Sequence, residues 1–553
     1  MKFLAVTTPQ RFASTFLAFI LVVAAAAQAE PRALLTSHVP DAVSSGAVPL
    51  VGHVPPDQHL SLAISLPLRN EAGLDALLAQ IYDPQSPNYH RYLSVQEFTS
   101  RFGPTQNDHA AVRQFARAHG LSVVETASNR MVVDVEGRAA DIESAFHVSM
   151  NIYQHPTENR TFYAPDREPT VELDAPLLHL SGLDNFALPY AKNIQKPLLN
   201  VQADGVAKAT GSGPGGNFVG SDLRAAYYGS GSLTGAGQSL GLFEFAGYNV
   251  TDIQNYFSKL KQPLNVPIKG VSLNGVSINC PPTSCDDSEQ AIDIEIAISM
   301  APGLNQVVVY VGSKDVSIFN RMAADNTSKQ LSCSWGWSDN ESSLDPIFKE
   351  MAVQGQTVFV ATGDQGSSTP GDVVWPADDP LVTAVGGTDL VTTGPGGAWK
   401  SETGWNGSAG MPSKNGIKIP QYQTLKGVVT SQNHASSTLR NIPDVAAEAN
   451  TNQWSCYDAG CSEGNGGTSF AAPQWAGITA LANEQAVSGG GTTLGFLNPR
   501  LYHIGVGSNY DSDFHDITSG SNGAYSAVTG FDLVTGWGSP QAPNLIDTLT
   551  EKD

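Results

Sequence analysis

The sequence predicts an α/β protein, with a parallel sheet covered by helices on both faces, preceded by a smaller α+β domain. Three observations carry that expectation. Beyond residue 217, short apolar runs alternate with helical patterns, as in a sheet wound with crossover helices. Those runs are nearly continuous rather than alternating, as strands buried on both sides should be. Upstream of the Gly/Ser-rich stretch Thr210 to Gly216 the texture changes, and most of the histidines collect there.

The chain opens with Lys2 and Arg11 ahead of an apolar run, Phe16 to Ala27, and then the small-residue site Ala27-Gln28-Ala29. The run is short for a bilayer span, so residues 1–29 read as a signal peptide cut after Ala29. Residues 30–186 form the first domain. Glu71 to Tyr82 places Leu74, Leu77, Leu78 and Ile81 on one helical side, and Asn107 to His119 is a second helix stopped by Gly120. Its strands are expected at Leu60 to Leu66, Arg130 to Val135 and Val148 to Tyr153. Residues 187–216 read as a flexible linker and a place for proteolytic separation. Residues 217–553 form the large domain. Its strands are expected at Ser239 to Phe245, Gln306 to Gly312, Gln330 to Trp335, Thr357 to Thr362 and Leu381 to Val385, with helices at Lys314 to Asp325 and Leu344 to Gln354. Reactive groups in such a sheet belong beyond the carboxyl ends of the strands.

Composition narrows the function. The 553 residues carry 30 basic and 52 acidic side chains, 30 − 52 = −22. That balance excludes nucleic acid as the main partner and suits solubility in acid. No later segment reads as membrane-spanning. Cys280 with Cys285, and Cys456 with Cys461, are placed for small local disulfides in an exported chain, while Cys333 reads as a buried thiol.

The chemistry starts at Gly466-Gly467-Thr468-Ser469-Phe470-Ala471-Ala472-Pro473. Ser469 stands where a helix begins, with Pro473 expected in its first turn. Two readings stand: a nucleophile beside an oxyanion-holding helix N-terminus, or an N-cap. Beyond the linker the histidines are His434, His503 and His515, none in a recognisable triad motif. Carboxylates are the other candidates. Glu289 and Asp293 share a face if their segment is helical. The alternation of Ile292, Ile294, Ile296 and Ile298 argues for a strand instead, and Ala301-Pro302-Gly303 for a helix stop. Asp364 follows an apolar strand and precedes a glycine turn, where it either caps the turn or functions at the strand end.

At these residues the chain resembles the sedolisin/kumamolisin-type serine-carboxyl peptidases, made as proenzymes. The matching pieces are Glu289-x-x-x-Asp293, Ser332-Cys333-Ser334-Trp335-Gly336, Gly363-Asp364, Gly467-Thr468-Ser469 with Pro473, Pro499-Arg500-Leu501-Tyr502, and the run from Asp532 to Gly538. In the first domain, Ser86 to Leu93 and Phe98 to Pro104 resemble the family's activation domain. The resemblance implies a subtilisin-like sheet behind a ferredoxin-like prodomain. It implies Ser469 as nucleophile, Glu289 as general base and acid, Asp293 orienting Glu289, and Asp364 stabilising the oxyanion. It implies one structural calcium ion held by Asp516, Ile517, Val528, Gly530 and Asp532, with Val528 standing where glycine is common. It implies polypeptide substrates and the chain's own prodomain as partners, with no nucleic acid or membrane, and a monomer, secreted or periplasmic. Acid activity follows, because carboxyl groups ordinarily titrate near 4 and a general base works best near its own pKa. His90, His109, His119 and His147 are candidates for an acid switch that frees the prodomain. Rival readings are a tripeptidyl-peptidase, a serine hydrolase using one of the three later histidines, and a binding protein on the same scaffold. Trp335 is a subsite wall or a core residue.

Overall fold

The computed structural model describes residues 1–2, 31–193, 210–282, 284–337, 343–367 and 375–551. The signal-peptide reading, apart from its first two residues, and positions 194–209 of the linker lie outside them. The large domain is built on an eight-stranded sheet: β1 (Ser239–Glu244), β2 (Ile268–Ser272), β3 (Gln306–Val311), β4 (Gln330–Cys333), β5 (Thr357–Ala361), β6 (Thr383–Thr392), β7 (Trp399–Gly404) and β8 (Val445–Glu448). The order is β2-β3-β1-β4-β5-β6-β7, with β8 also pairing β6, and every pairing is parallel except β6 with β7. β6 continues well past the expected Val385, because its second half pairs with β7. That edge strand alternates exposed and buried residues, so a search for apolar runs passes over it.

Two helices fill one face. In α1 (Ser288–Met300) every residue is buried. A helix buried all round needs no apolar stripe, which is why its isoleucines fall at every second position and imitate a strand. α2 (Thr468–Ser488) is buried from Thr468 to Asn483 and is fastened by the Trp475 indole N–H to the Ala446 carbonyl at 2.9 Å. Pro473 stands in its second turn, not the first. It has no N–H for the Ser469 carbonyl four residues back, and the Ser334 hydroxyl lies 3.5 Å from that carbonyl. Both cysteine pairs are bonded, Cys280 to Cys285 and Cys456 to Cys461, and Cys333 is a buried free thiol.

Helices Asp315–Asp325 and Asp345–Val353 cover the opposite face, and the N-terminal domain packs on them. That domain has a four-stranded antiparallel sheet in the order Ser122–Thr126, Val132–Arg138, His59–Ser65, His179–Ser181. Its helices Glu71–Ile81 and Gln106–Ala118 fall where expected. Leu74, Ile81, Phe98 and Met131 share one apolar core with Phe319, Phe348 and Met351 of the large domain. At the rim, Lys349 pairs with Glu71 at 2.6 Å and with Asp75 at 3.0 Å, and Arg321 with Glu125 at 2.7 Å. Asn129 donates to Glu350 at 2.7 Å. Of the four histidines read as an acid switch, His90 lines a cavity shared with Phe496 and His503 of the large domain. The contacts of the others stay within the prodomain: His109 is buried in its core, His119 meets the Phe115 carbonyl and His147 the Thr170 hydroxyl.

A buried ion pair pins the start of β6. Arg440 donates to both oxygens of Asp444, which also accepts from the Ala384 N–H at 2.8 Å and the Tyr502 hydroxyl at 2.7 Å. Arg440→Met leaves that carboxylate buried without its cation. The expected cost is about 3–5 kcal/mol, read as a lowered denaturant midpoint with an unchanged slope.

Candidate active site

The site lies at the carboxyl ends of β1, β4 and β5, where α2 begins. Ser469 is the second residue of α2 and is fully buried. Gly467, just before the helix, has φ +127°, and a Cβ there would lie 2.6 Å from the Lys192 carbonyl oxygen and 2.7 Å from the Asp364 carboxylate. Only glycine lets these groups crowd the helix N-terminus. Asp364, three residues past β5, accepts from the Thr468 N–H at 2.7 Å and the Thr468 hydroxyl at 2.9 Å, both through Oδ1. The Gly363 N–H donates back to that hydroxyl at 2.9 Å. Thr468 thereby fixes the Asp364 carboxyl beside the Ser469 N–H.

Glu289 and Asp293 are one turn apart on buried α1. Burial and the neighbouring Asp293 push Glu289 well above the usual carboxyl range, while the Ser469 hydroxyl and the Asn193 side chain favour its charged form. Asp293 is raised to about 8 by burial, against hydrogen bonds from Ser334 and Glu244. The Ser334 hydroxyl donates to Asp293 at 2.7 Å. Glu244 is the residue that sequence reasoning missed. It ends β1, is fully buried and is raised by burial and by Asp293, and it accepts from the Trp335 indole N–H at 2.9 Å. An acid at the carboxyl end of a strand was the available signal, the same one that picked out Asp364. Glu244, Asp293 and Glu289 are buried close enough to raise one another, so they cannot all ionise and must titrate together.

The cleft is filled by the chain's own segment. Tyr190 and Ala191 pair antiparallel with Gly336 and Trp335. The Lys192 N–H donates to the Ser334 carbonyl at 2.9 Å, and the Lys192 carbonyl accepts from the Ser469 N–H at 3.1 Å and from the Ser469 hydroxyl. Trp335 thus walls the cleft with its backbone while its ring packs on Phe245. Among the described residues the Ser469 hydroxyl meets the Lys192 and Ser334 carbonyls and no histidine. His515 stacks on Trp399, 3.9 Å between centroids, and burial lowers it to about 4.

Near the C-terminus, Asp516 accepts from the Gly530 N–H at 3.1 Å and the Tyr510 hydroxyl at 2.9 Å. Asp532 accepts from the N–H groups of Val528, Val534 and Thr535. The loop carrying Val528 and Gly530 therefore touches both acids, and among the described residues no protein donor meets the carbonyls of Ile517, Val528 or Gly530. Two carboxylates beside three unengaged carbonyls fit an oxygen-seeking cation. Among the described residues no group of three or more His, Cys, Asp or Glu has metal-binding spacing, so a cation here would lean on backbone oxygens.

Comparisons with known proteins bear on the family. Residues 48–186 match the "Pro-kumamolisin, activation domain" model and residues 290–494 the "Subtilase family" model. The chain is 30% identical to kumamolisin of Bacillus sp. (strain MN-32), over 94% of this chain and 96% of that one. It is 28% identical to sedolisin of Pseudomonas sp. (strain 101), over 86% and 85% respectively. The solved structure of Pseudomonas sedolisin, a serine-carboxyl proteinase complexed with two molecules of pseudo-iodotyrostatin, superimposes with a TM-score of 0.51 at 26% identity, covering 59% of this chain and 96% of that one. Among the described residues no helix is long and apolar enough to cross a membrane.

Proposed function

This chain belongs to the sedolisin/kumamolisin family of serine-carboxyl peptidases and carries the family's activation domain; from that premise we propose that it is an exported endopeptidase that works in acid and matures by cutting itself. In this reading residues 1–29 direct export, residues 30–186 hold the enzyme silent, and cleavage within 187–216 frees the peptidase. Ser469 attacks the substrate carbonyl. Glu289 takes the hydroxyl proton and later gives it to the leaving amine. Asp293, with Glu244 behind it, orients Glu289 and shares its proton. Protonated Asp364 and the Ser469 N–H hold the oxyanion. One observation supports this above the rest: a peptide carbonyl, that of Lys192, lies on the Ser469 N–H and hydroxyl, with Asp364 crowding the same glycine.

Endopeptidase action is proposed ahead of tripeptidyl release. The test is digestion of an unfolded protein near pH 4 by the wild type and by Ser469→Ala. Internal cuts by the wild type and none by the variant are expected; equal digestion by both would end the proposal, and release of tripeptides alone would move it to the exopeptidase reading.

We also propose one structural calcium ion, held by Asp516 and Asp532 with the carbonyls of Ile517, Val528 and Gly530. When bound, the ion would tie the C-terminal loops to one another and take no part in the chemistry. A chelator is expected to lower the Tm of the mature enzyme by several degrees, restored by calcium and mimicked by Asp532→Asn. An unchanged Tm would remove the ion.

A further inference from the structure

The segment in the cleft lies as a substrate lies, and it points to a particular bond. Tyr190 and Ala191 extend the strand Trp335–Gly336, the Lys192 N–H is held by the Ser334 carbonyl, and the Lys192 carbonyl oxygen sits on the N–H of Ser469. The next residue, Asn193, turns its side chain toward Ser288, 3.5 Å away, on the α1 side of the nucleophile where Glu289 stands. The Lys192 carbonyl is thus the one whose oxygen the Ser469 N–H and hydroxyl both hold, and Asn193, whose side chain reaches toward α1, is the residue that follows it. We propose that Lys192–Asn193 is the bond cut first, within the same chain, and that the pocket holding Lys192 selects lysine in later substrates. This rests on the catalytic reading above.

The pocket explains the selection. The Lys192 side chain is buried and its ammonium donates to the Ala361 carbonyl at 2.6 Å, at the end of β5. Gly336 forms one wall. A Cβ there would lie 2.2 Å from Lys192 Cε and 2.8 Å from its Nζ, with the Trp375 carbonyl oxygen 3.3 Å away. A long side chain fits only because residue 336 has none, and backbone carbonyls at the far end welcome a donor. A cation is suited to that end; a phenyl ring or a carboxylate is not.

The step balances with the groups of the site and one water. Ser469 Oγ bonds to the Lys192 carbonyl carbon as its proton passes to Glu289. The bond to the Asn193 nitrogen breaks as Glu289 returns that proton to the amine. Water then adds to the acyl carbon, gives a proton to Glu289, and Ser469 Oγ leaves and regains it. The products are a chain ending in the Lys192 carboxylate and one starting at the Asn193 amine.

The test uses the full-length chain shifted to acid, with the earliest products read by intact mass and N-terminal sequencing. A first new N-terminus at Asn193 is expected. Lys192→Glu is expected to slow that cut at least tenfold, while Ser469→Ala abolishes it. On peptides Pro-Tyr-Ala-X-Asn-Ile the matured enzyme is expected to prefer X = Lys over Phe and Glu by at least tenfold in kcat/KM, and Gly336→Val to invert the ratio of Lys to Ala. Processing and peptide cleavage that need Ser469 but ignore residue 192 and X would overturn this inference and leave the catalytic reading standing. Processing unaffected by Ser469→Ala would overturn both.

Discussion

Replacing Glu289 by glutamine is expected to lower turnover near pH 4 by about 10³-fold and to leave the proenzyme uncut, while making the folded chain more stable at neutral pH. The first effect follows from the proton: a carboxamide of the same shape cannot accept it from Ser469, and general acid–base groups contribute on that scale. The second follows from linkage. Burial and Asp293 raise Glu289 well above its ordinary value in the folded state, so the folded chain holds its proton more tightly than the unfolded chain does. A group of that kind supports the fold fully below its unfolded pKa, and the support is lost as pH rises through the folded value. Glutamine carries no such dependence. Asp293 raised to about 8, Glu350 raised to about 8 and Asp134 raised to about 6 have the same sign, so the wild-type proenzyme should be firmer near pH 4 than at pH 8. Thermal melts across that range, beside assays of the same preparations, check both halves. A variant that lost activity and also melted earlier at neutral pH would make Glu289 a structural residue instead.

Those signs also bear on how the prodomain leaves. Asp134 and Glu350 lie on opposite sides of the contact, meeting Ser317 and Asn129 across it. Burial raises both acids although the hydrogen bonds from Ser317 and Asn129 favour their charged forms, so acid relieves two buried charges at the contact while it weakens the rim pairs of Lys349 and Arg321. Release by protonation alone is therefore opposed, and cutting the chain in the cleft is the step that can make separation irreversible.

How much of this was legible in the sequence depends on what each residue had to signal. Strands buried on both faces announce themselves by continuous apolar runs, and five strands of the large domain were placed that way. β7 and the pair of strands joined by Cys456 and Cys461 carry polar faces and gave no such signal. Helix α1 was ambiguous because complete burial erases periodicity. Ser469, Glu289, Asp293 and Asp364 were singled out by residue type, strand ends and resemblance, but their convergence is a tertiary fact. Glu244 comes from a strand that offered one acid in an apolar run. The segment at 190–193 looked like the start of a linker, since nothing in Tyr-Ala-Lys-Asn says that a cleft whose serine lies 277 residues further along the chain is shaped to receive it.

Asp364→Asn is the second large effect, and its direction depends on pH. In the proposed chemistry Asp364 donates to the oxyanion only while protonated, and its ionised form repels the charge that develops there. Its Oδ1 already accepts two hydrogen bonds from Thr468, which fixes the other oxygen toward the nucleophile. Asparagine reproduces that arrangement: its carbonyl takes the place of Oδ1, and its NH₂ becomes a donor at every pH. The variant should therefore keep much of its activity near pH 4 and extend it by at least one pH unit on the alkaline side, until another group limits the rate. Asp364→Ala has no donor at any pH and is expected to lose about 10²–10³-fold throughout. Profiles of kcat/KM for the two variants on one peptide decide the matter. If the asparagine chain were as inactive as the alanine chain at every pH, with both folded, Asp364 would be doing something other than donating a proton-bearing oxygen, and the acid limit on activity would have to come from the pair on α1 alone.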